Sequence, residues 1–386
     1  MKTTLGVASM LAAGIFSLNS AEPSVSNWVS VLKTFESFTQ FDVETGPSGQ
    51  DLTLTSPLIN LGFPWSEAIL SWNTSAPDSA QFEFEAAPQF EGVAPRFYPM
   101  GSWGLAKEPY RRKSLKQEFD PQVSIDTDTL VLKQPVTSLR VRIKILGAQT
   151  PTPNWIKFLA VSCSGPKTQA SIPSPNPATP PPKTLESHPR EPLGTSPARE
   201  PIQLLVPALS QLDYPDGKAW CSPTSLTMTL NYWGKKLHRE DLLVNVPRTA
   251  AAVFDPDWGG TGNWSFNAAF AGTFPGMRAY VTRFEMLAQI ETCVRLGVPV
   301  IASVSYNRLK GLDKGGSGHL VVCIGFEQNG DPILNDPGTS VEIKRSIPKA
   351  RFKAAWAESK NTVYIICPEE QHKSLLQSLH DTHAGD

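Results

Sequence analysis

The feature that most constrains this chain is a run that cannot form a core. From Ser164 to Pro201 it reads SGPKTQASIPSPNPATPPPKTLESHPREPLGTSPAREP. It has no aromatic residue and almost no large aliphatic one. Such a segment cannot bury enough apolar area to offset the entropy of ordering the backbone. Residues 164–202 are therefore expected to be an extended Pro-rich linker. A chain of 386 residues divided in this way should hold two domains, and a hydrophobic content of 40% supplies a core for each. The two flanks differ in kind, so the fold class is multidomain.

Residues 27–163 read as all-β. In QFEFEA, Phe82, Phe84 and Ala86 alternate with Gln81, Glu83 and Glu85; in LRVRIKI, Leu139, Val141, Ile143 and Ile145 alternate with Arg140, Arg142 and Lys144. A period of two gives a strand with one buried and one wet face. AILSWN, SIDTDTLVL and IKFLAVSC add further strands between Gly, Pro, Asn and Asp breaks. The expected architecture is a β-sandwich of jelly-roll type.

Residues 203–368 mix helices and strands. A helix follows Cys221, with Leu226, Leu230 and Trp233 on its buried stripe, Pro223 at its first helical position and Gly234 as its stop. A second is expected near His238, and a third from about Arg283 to Leu296. The third carries Phe284, Leu287, Ile290 and Val294 on one face and Gly297 as its stop. Strands then follow at PVIASVSY, HLVVCIGF, PILNDP and TVYIICP. Helices first and an antiparallel sheet afterwards read as α+β. Residues 254–276 show neither period, and residues 369–386 form a polar tail.

At the N-terminus, Lys2 precedes an apolar run from Leu5 to Leu18 and then small polar residues. That is the layout of a secretory signal peptide over residues 1–21, and no later apolar run is long enough to span a bilayer. The expected location is outside the cytoplasm: extracellular, cell-surface or periplasmic. Five cysteines is an odd number, so in an oxidising compartment at least one thiol stays unpaired. The net charge of −1 gives no electrostatic case for a nucleic-acid partner.

The cysteine with the most informative surroundings is Cys221. At a helix N-terminus, free N–H groups and the helix dipole stabilise a thiolate. A thiol nucleophile needs a base, and of the six histidines only His319 stands at a structured place, where GGSGHLVVCIGF enters a strand. The glycines there, Gly318 among them, allow close approach of a substrate backbone. The base in turn needs an orienting group, and Asp336 in ILNDPGT lies one hairpin later, with Asn335 as its competitor. Gln211 in VPALSQLDYP precedes the nucleophile; its amide and the Cys221 N–H would form an oxyanion hole.

The order Gln211, Cys221, His319, Asp336, with VPALSQ, WCSPTSLTMTLNYWG, GHLVVCIGF and LNDPGT around them, resembles papain-like cysteine peptidases. The branch it is similar to is the bacteriocin-processing, C39-like one. The resemblance covers about 165 residues of the sequence, and Ser222 stands where many members have Gly. It implies a papain-like peptidase domain and a Cys-His-Asp triad acting on a peptide or protein. The membrane exporter usually fused to leader-processing members is missing, so leader processing is not implied.

Around this core of chemistry, Trp258, Asn263, Trp264 and Asn267 are expected to line a substrate groove in the aperiodic 254–276 segment. Asp255 and Asp257 lack the ligand spacing of a calcium loop, and neither a metal nor another cofactor is expected. In the sandwich, Trp103, Tyr110, Arg111, Arg112 and Lys113 suggest a glycan or cell-surface ligand by analogy of fold. Two other readings of the whole stay open: an acyltransferase using the same triad, and a non-catalytic surface-binding protein on a peptidase-like scaffold.

Overall fold

A computed structural model of the protein describes residues 28–104, 113–114, 120–167 and 200–384. The expected signal peptide, most of the linker, and Tyr110, Arg111 and Arg112 lie outside the described residues. The N-terminal domain consists of β1 (Trp28–Phe35), β2 (Asp42–Thr45), β3 (Leu52–Thr55), β4 (Ile59–Thr74), β5 (Gln81–Pro88), β6 (Tyr98–Trp103), β7 (Val123–Asp126), β8 (Thr129–Leu146) and β9 (Ile156–Pro166). All pair antiparallel, in the order β1-β9-β4-β8-β3-β2, with β5 and β7 also on β8 and β6 on β5. The long strands β4 and β8 carry the network. Register shifts at Asn60, Trp65 and Glu67 mark bulges that bend β4. The alternation in QFEFEA and LRVRIKI is realised as cross-strand pairs, Phe82 opposite Ile145 and Phe84 opposite Ile143. Trp72 stacks on Phe84 with ring centroids 4.0 Å apart.

One sequence expectation fails here. Trp103 is 1% exposed, with its ring beside Phe266 of the second domain. It is a core residue and not a platform for a glycan. The strand period places it there, since it faces Phe82 in register on β5.

The second domain runs β10 (Ile202–Gln203), α1 (Cys221–Leu237), α2 (Val246–Val253), α3 (Trp264–Ala271), β11 (Met277–Arg283), α4 (Leu287–Arg295), β12 (Val300–Ser305), α5 (Tyr306–Leu309), β13 (Gly318–Phe326), β14 (Pro332–Asn335), β15 (Lys344–Ser346), α6 (Lys349–Ala357), β16 (Thr362–Pro368) and α7 (Glu369–Ala384). Its antiparallel sheet has the order β11-β16-β12-β13-β14-β15, with β10 added on β13. Helix α1 lies against β13, anchored by Ser225 Oγ donating to the Leu320 carbonyl at 3.1 Å. Among the described residues no helix is long and apolar enough to cross a membrane.

Several boundaries move. Helix α1 passes Gly234 and ends at Leu237, with His238 in the left-handed conformation as its cap. Gly234 serves packing instead: a Cβ there would meet Leu243 Cδ2 at 2.6 Å and the Arg239 carbonyl at 3.0 Å. The second helix begins at Val246, capped by Asn245 Oδ1 accepting from the Arg248 N–H at 2.9 Å. Arg283 ends a strand, and the third expected helix covers only Leu287–Arg295. The polar tail is helical, with Leu375 and Leu379 buried.

The two domains are not separate bodies. Their buried apolar residues form one continuous cluster. Asn73 Nδ2 donates to the Ala279 carbonyl at 2.8 Å, and its Oδ1 accepts from the Ala279 N–H at 3.1 Å. Ser71 Oγ accepts from the Val281 N–H at 2.9 Å, and Ser265 Oγ donates to the Leu70 carbonyl at 2.6 Å. Buried Glu67 pairs with Arg283 at 2.7 Å and with Lys360. His372, expected in a solvated tail, is 1% exposed and sits with its ring edge-on to Phe158 and Tyr280.

Candidate active site

The nucleophile's position follows from the start of α1. Trp220 is the N-cap and Cys221 the first helical residue, so Pro223 stands third and not first. Its missing N–H is still one of the four that a helix start leaves unpaired. The thiol of Cys221 is partly exposed, whereas Cys163, Cys293, Cys323 and Cys367 are buried; all five are free.

Strand β13 brings the base. His319 is 5% exposed, sits opposite Val304 of β12, and interacts with the Cys221 thiol. Its Nε2 lies 2.7 Å from Asp336 Oδ1, which leaves Nδ1 as the ring nitrogen for the thiol. Asp336 is fully buried just past β14. Its Oδ1 also accepts from the Gly338 N–H at 2.8 Å, and its Oδ2 accepts from Arg345 Nη2 at 2.5 Å. Tyr306 lies over the imidazole with ring centroids 4.3 Å apart and donates its hydroxyl to the Gly338 carbonyl at 3.0 Å. A Cβ on Gly338 would stand 2.9 Å from both His319 Cε1 and Tyr306 Oη, so only glycine lets this turn close on the ring.

The electrostatics follow from these contacts. Burial alone pushes a thiol up, and it takes Cys323 and Cys367 to about 12. Burial acts on Cys221 too. There the hydrogen bond and charge of His319, then the N–H groups of Leu320 and Ser222, outweigh it and hold the thiol below its ordinary value. Burial pushes His319 down, but hydrogen bonds to Asp336 and Cys221 and the charges on both raise it to about 9. Burial would raise Asp336; His319, the Gly338 N–H and Arg345 keep it below the usual carboxylate range. Each of these shifts favours a thiolate–imidazolium pair backed by a carboxylate over the neutral pair.

The remaining expected residues divide. Asn335 does not compete for the imidazole; its amide donates to the Val206 and Pro207 carbonyls at 3.2 Å each. The amide protons of Gln211 are engaged, by the Gly217 carbonyl at 2.9 Å and the Lys218 carbonyl at 2.8 Å. It braces the turn that leads into Cys221 and is not aimed as an oxyanion donor. Asn263 is fully buried and caps α3, accepting from the Phe266 N–H at 3.1 Å. Asn267 is equally buried, donating to the Thr261 and Asn263 carbonyls. Neither asparagine lines a groove. Trp264 is partly buried against the core, whereas Trp258 is 51% exposed. Gly318 is exposed at the mouth of β13, next to His319. Asp255 is saturated by N–H and O–H donors, and no group of potential metal ligands occurs among the described residues.

Sequence reasoning missed Tyr306, Arg345 and the Ser222–Tyr364 pair. Ser222 is fully buried and its hydroxyl lies 2.9 Å from Tyr364 Oη, fixing the first turn behind the nucleophile. Its place beside Cys221 was the one signal available.

Residues 203–364, which carry every residue of the site, match the family described as Peptidase C39 like. The C-terminal domain is thus a Peptidase C39-like domain over those residues. Residues 35–164 match the Peptidase C39 N-terminal domain, so the β domain precedes a C39-like domain as a recognised companion. Among solved structures, a putative C39-like peptidase from Bacillus anthracis is similar at 19% identity, over 44% of this chain and 98% of that one, with a TM-score of 0.31. No curated protein matches the chain.

Proposed function

We propose that the protein is a cysteine peptidase that hydrolyses peptide bonds with Cys221 as nucleophile, His319 as general acid and base, and Asp336 as the group that orients His319. The observation that carries this reading is the continuous chain from the Cys221 thiol through His319 to Asp336, with a thiol held acidic against its own burial. The C39-like family supports the same chemistry.

In this reading the Cys221 thiolate attacks the scissile carbonyl carbon and forms a C–S bond. The oxyanion meets the Cys221 backbone N–H at the start of α1, where helix geometry leaves donors free. Collapse breaks the C–N bond, and His319 gives its proton to the departing amine. A water then attacks the thioester, His319 takes the proton, and the acid leaves as the thiol is restored. Asp336 accepts a hydrogen bond from Nε2 throughout and keeps Nδ1 toward sulfur. Export of the enzyme is part of the proposal and rests on the pattern of residues 1–21.

Incubation of the full chain with a randomised peptide mixture, read by mass spectrometry, tests the activity. New termini should form with wild type, and Cys221→Ala should lower their rate at least about 1,000-fold. Cleavage that survives in Cys221→Ala would remove the thiol from the mechanism. Modified products bearing an added amine, in place of free acids, would make it an acyltransferase.

A further inference from the structure

The segment 255–264 runs past the nucleophile's turn, and the N-terminal domain holds it at both ends. At the start, Asp255 is fully buried. Its Oδ1 accepts from the Ser114 N–H at 3.1 Å and the Asp257 N–H at 3.2 Å; its Oδ2 accepts from the Ser114 hydroxyl and from Asn263 Nδ2 at 3.1 Å. Ser114 belongs to the β domain. At the end of the segment, Asp128 in the turn between β7 and β8 accepts the Trp264 N–H. Asp128 is 4% exposed, so a carboxylate of one domain is sunk into the other.

Between these anchors the segment closes on itself. The Asp255 N–H donates to the Gly260 carbonyl at 2.8 Å, and the Gly259 N–H to the Asp255 carbonyl at 2.7 Å. The Trp258 ring lies on this turn, since a Cβ on Gly260 would meet its Cζ3 at 2.6 Å and one on Gly262 its Cη2 at 3.0 Å. The far strand of the turn reaches the nucleophile: Thr261 Oγ1 donates to the Ala219 carbonyl at 3.0 Å, two residues before Cys221. A half-exposed tryptophan is thus fixed on a rigid turn tied to the catalytic helix, and the tie-points on the other side come from the β domain.

We propose that the N-terminal domain is the positioning half of the substrate site, with Ser114 and Asp128 holding Trp258 as a platform for an apolar or aromatic side chain of an extended peptide. This rests on the peptidase reading above. Ser114 and Asp128 touch no substrate; they act through the 255–264 segment. The domain that precedes the peptidase is then a specificity element and not a separate binding module.

The test uses the full chain and two reagents that alkylate Cys221 without turnover. One is iodoacetamide, and the other a peptidyl acyloxymethyl ketone with Leu and Phe side chains. Ser114→Ala and Asp128→Ala should slow the peptidyl reagent about fivefold or more, leave iodoacetamide within about twofold, and raise amide hydrogen exchange across 255–264. Trp258→Ala should slow the peptidyl reagent alone, and Asp128→Asn, which keeps an acceptor, should restore most of the rate lost in Asp128→Ala. Equal slowing of both reagents, or unchanged exchange in 255–264, would overturn the proposal. If Cys221 of the wild type reacts with neither reagent, the peptidase reading falls. The exchange measurement then still decides whether the β domain holds the segment.

Discussion

Cys221 shares its chain with four other thiols, and its surroundings set it apart from them. The others are buried without a cation at hydrogen-bond reach of the sulfur, and burial leaves them inert. For Cys221, His319 reverses the balance. A definite pH dependence follows. Alkylation of Cys221 should remain fast below the range of an ordinary thiol and fall off only as the pH drops through its lowered pKa. The upper limb belongs to His319: its imidazolium persists up to about 9 and is lost as the pH rises through that value. The same raised pKa contributes folded-state stability that is full below the ordinary histidine value and vanishes through about 9. In His319→Ala burial is opposed only by the Leu320 and Ser222 N–H groups, so the alkylation rate at pH 6 should fall at least about tenfold, one pKa unit being a factor of ten in thiolate. Rates of iodoacetamide labelling from pH 4 to 10 measure both limbs, and a profile unchanged by His319→Ala would refute the pair. Cys221, His319 and Asp336 could be found in the sequence because each sits at an element boundary with few chemical alternatives. Tyr306 and Arg345 could not, because their tie to the imidazole and to Asp336 exists only after β12, β13 and β15 have been placed side by side.

Among the elements, periodicity worked where one face is wet and failed where none is. Strands β5 and β8 alternate cleanly because one face of each is partly open to solvent. Helix α3 has no readable stripe because every residue from Ser265 to Ala271 is buried, between β4, β11 and α1. Strand β11 is buried along its whole length and is not expected from the sequence; only its last residue, Arg283, falls within the expected third helix. Glycine misled in a second way. Gly234 looks like a helix stop, yet α1 continues past it because Leu243 and the Arg239 carbonyl occupy the space a side chain would need. Gly234→Ala therefore sets two effects against each other. Alanine in a helix gains up to about 1 kcal/mol over glycine, while forcing a methyl against a backbone carbonyl costs about 1–3 kcal/mol. The clash should win, lowering stability by about 1 kcal/mol in urea unfolding followed by tryptophan fluorescence. A variant more stable than wild type would show that Gly234 is a helix-propensity defect and nothing more.

At the scale of the whole molecule, a Pro-rich run suggested two independent bodies, yet the folded domains share one core. Composition could identify the run but not what its ends do afterwards. The pairing of Asn73 with Ala279, and of Ser71 with Val281, uses polar residues of β4. Their partners are backbone groups, which leave no trace in sequence. The most demanding contact is ionic. Glu67 and the side chain of Arg283 are each less than a tenth exposed, and the charges of Arg283 and Lys360 keep Glu67 ionised against its own burial. A buried pair of this kind is weak evidence for net stability, but removal of one partner strands the other. Glu67→Ala leaves the Arg283 guanidinium in the interface with only the hydroxyls of Ser164 and Thr362. It should cost about 3–5 kcal/mol in urea unfolding, whereas Glu67→Met combined with Arg283→Met, which removes both charges, should recover much of that loss. If the single substitution costs no more than the double one, the domains are held by apolar packing alone. The ion pair would then have no part in setting how the β domain meets the peptidase fold.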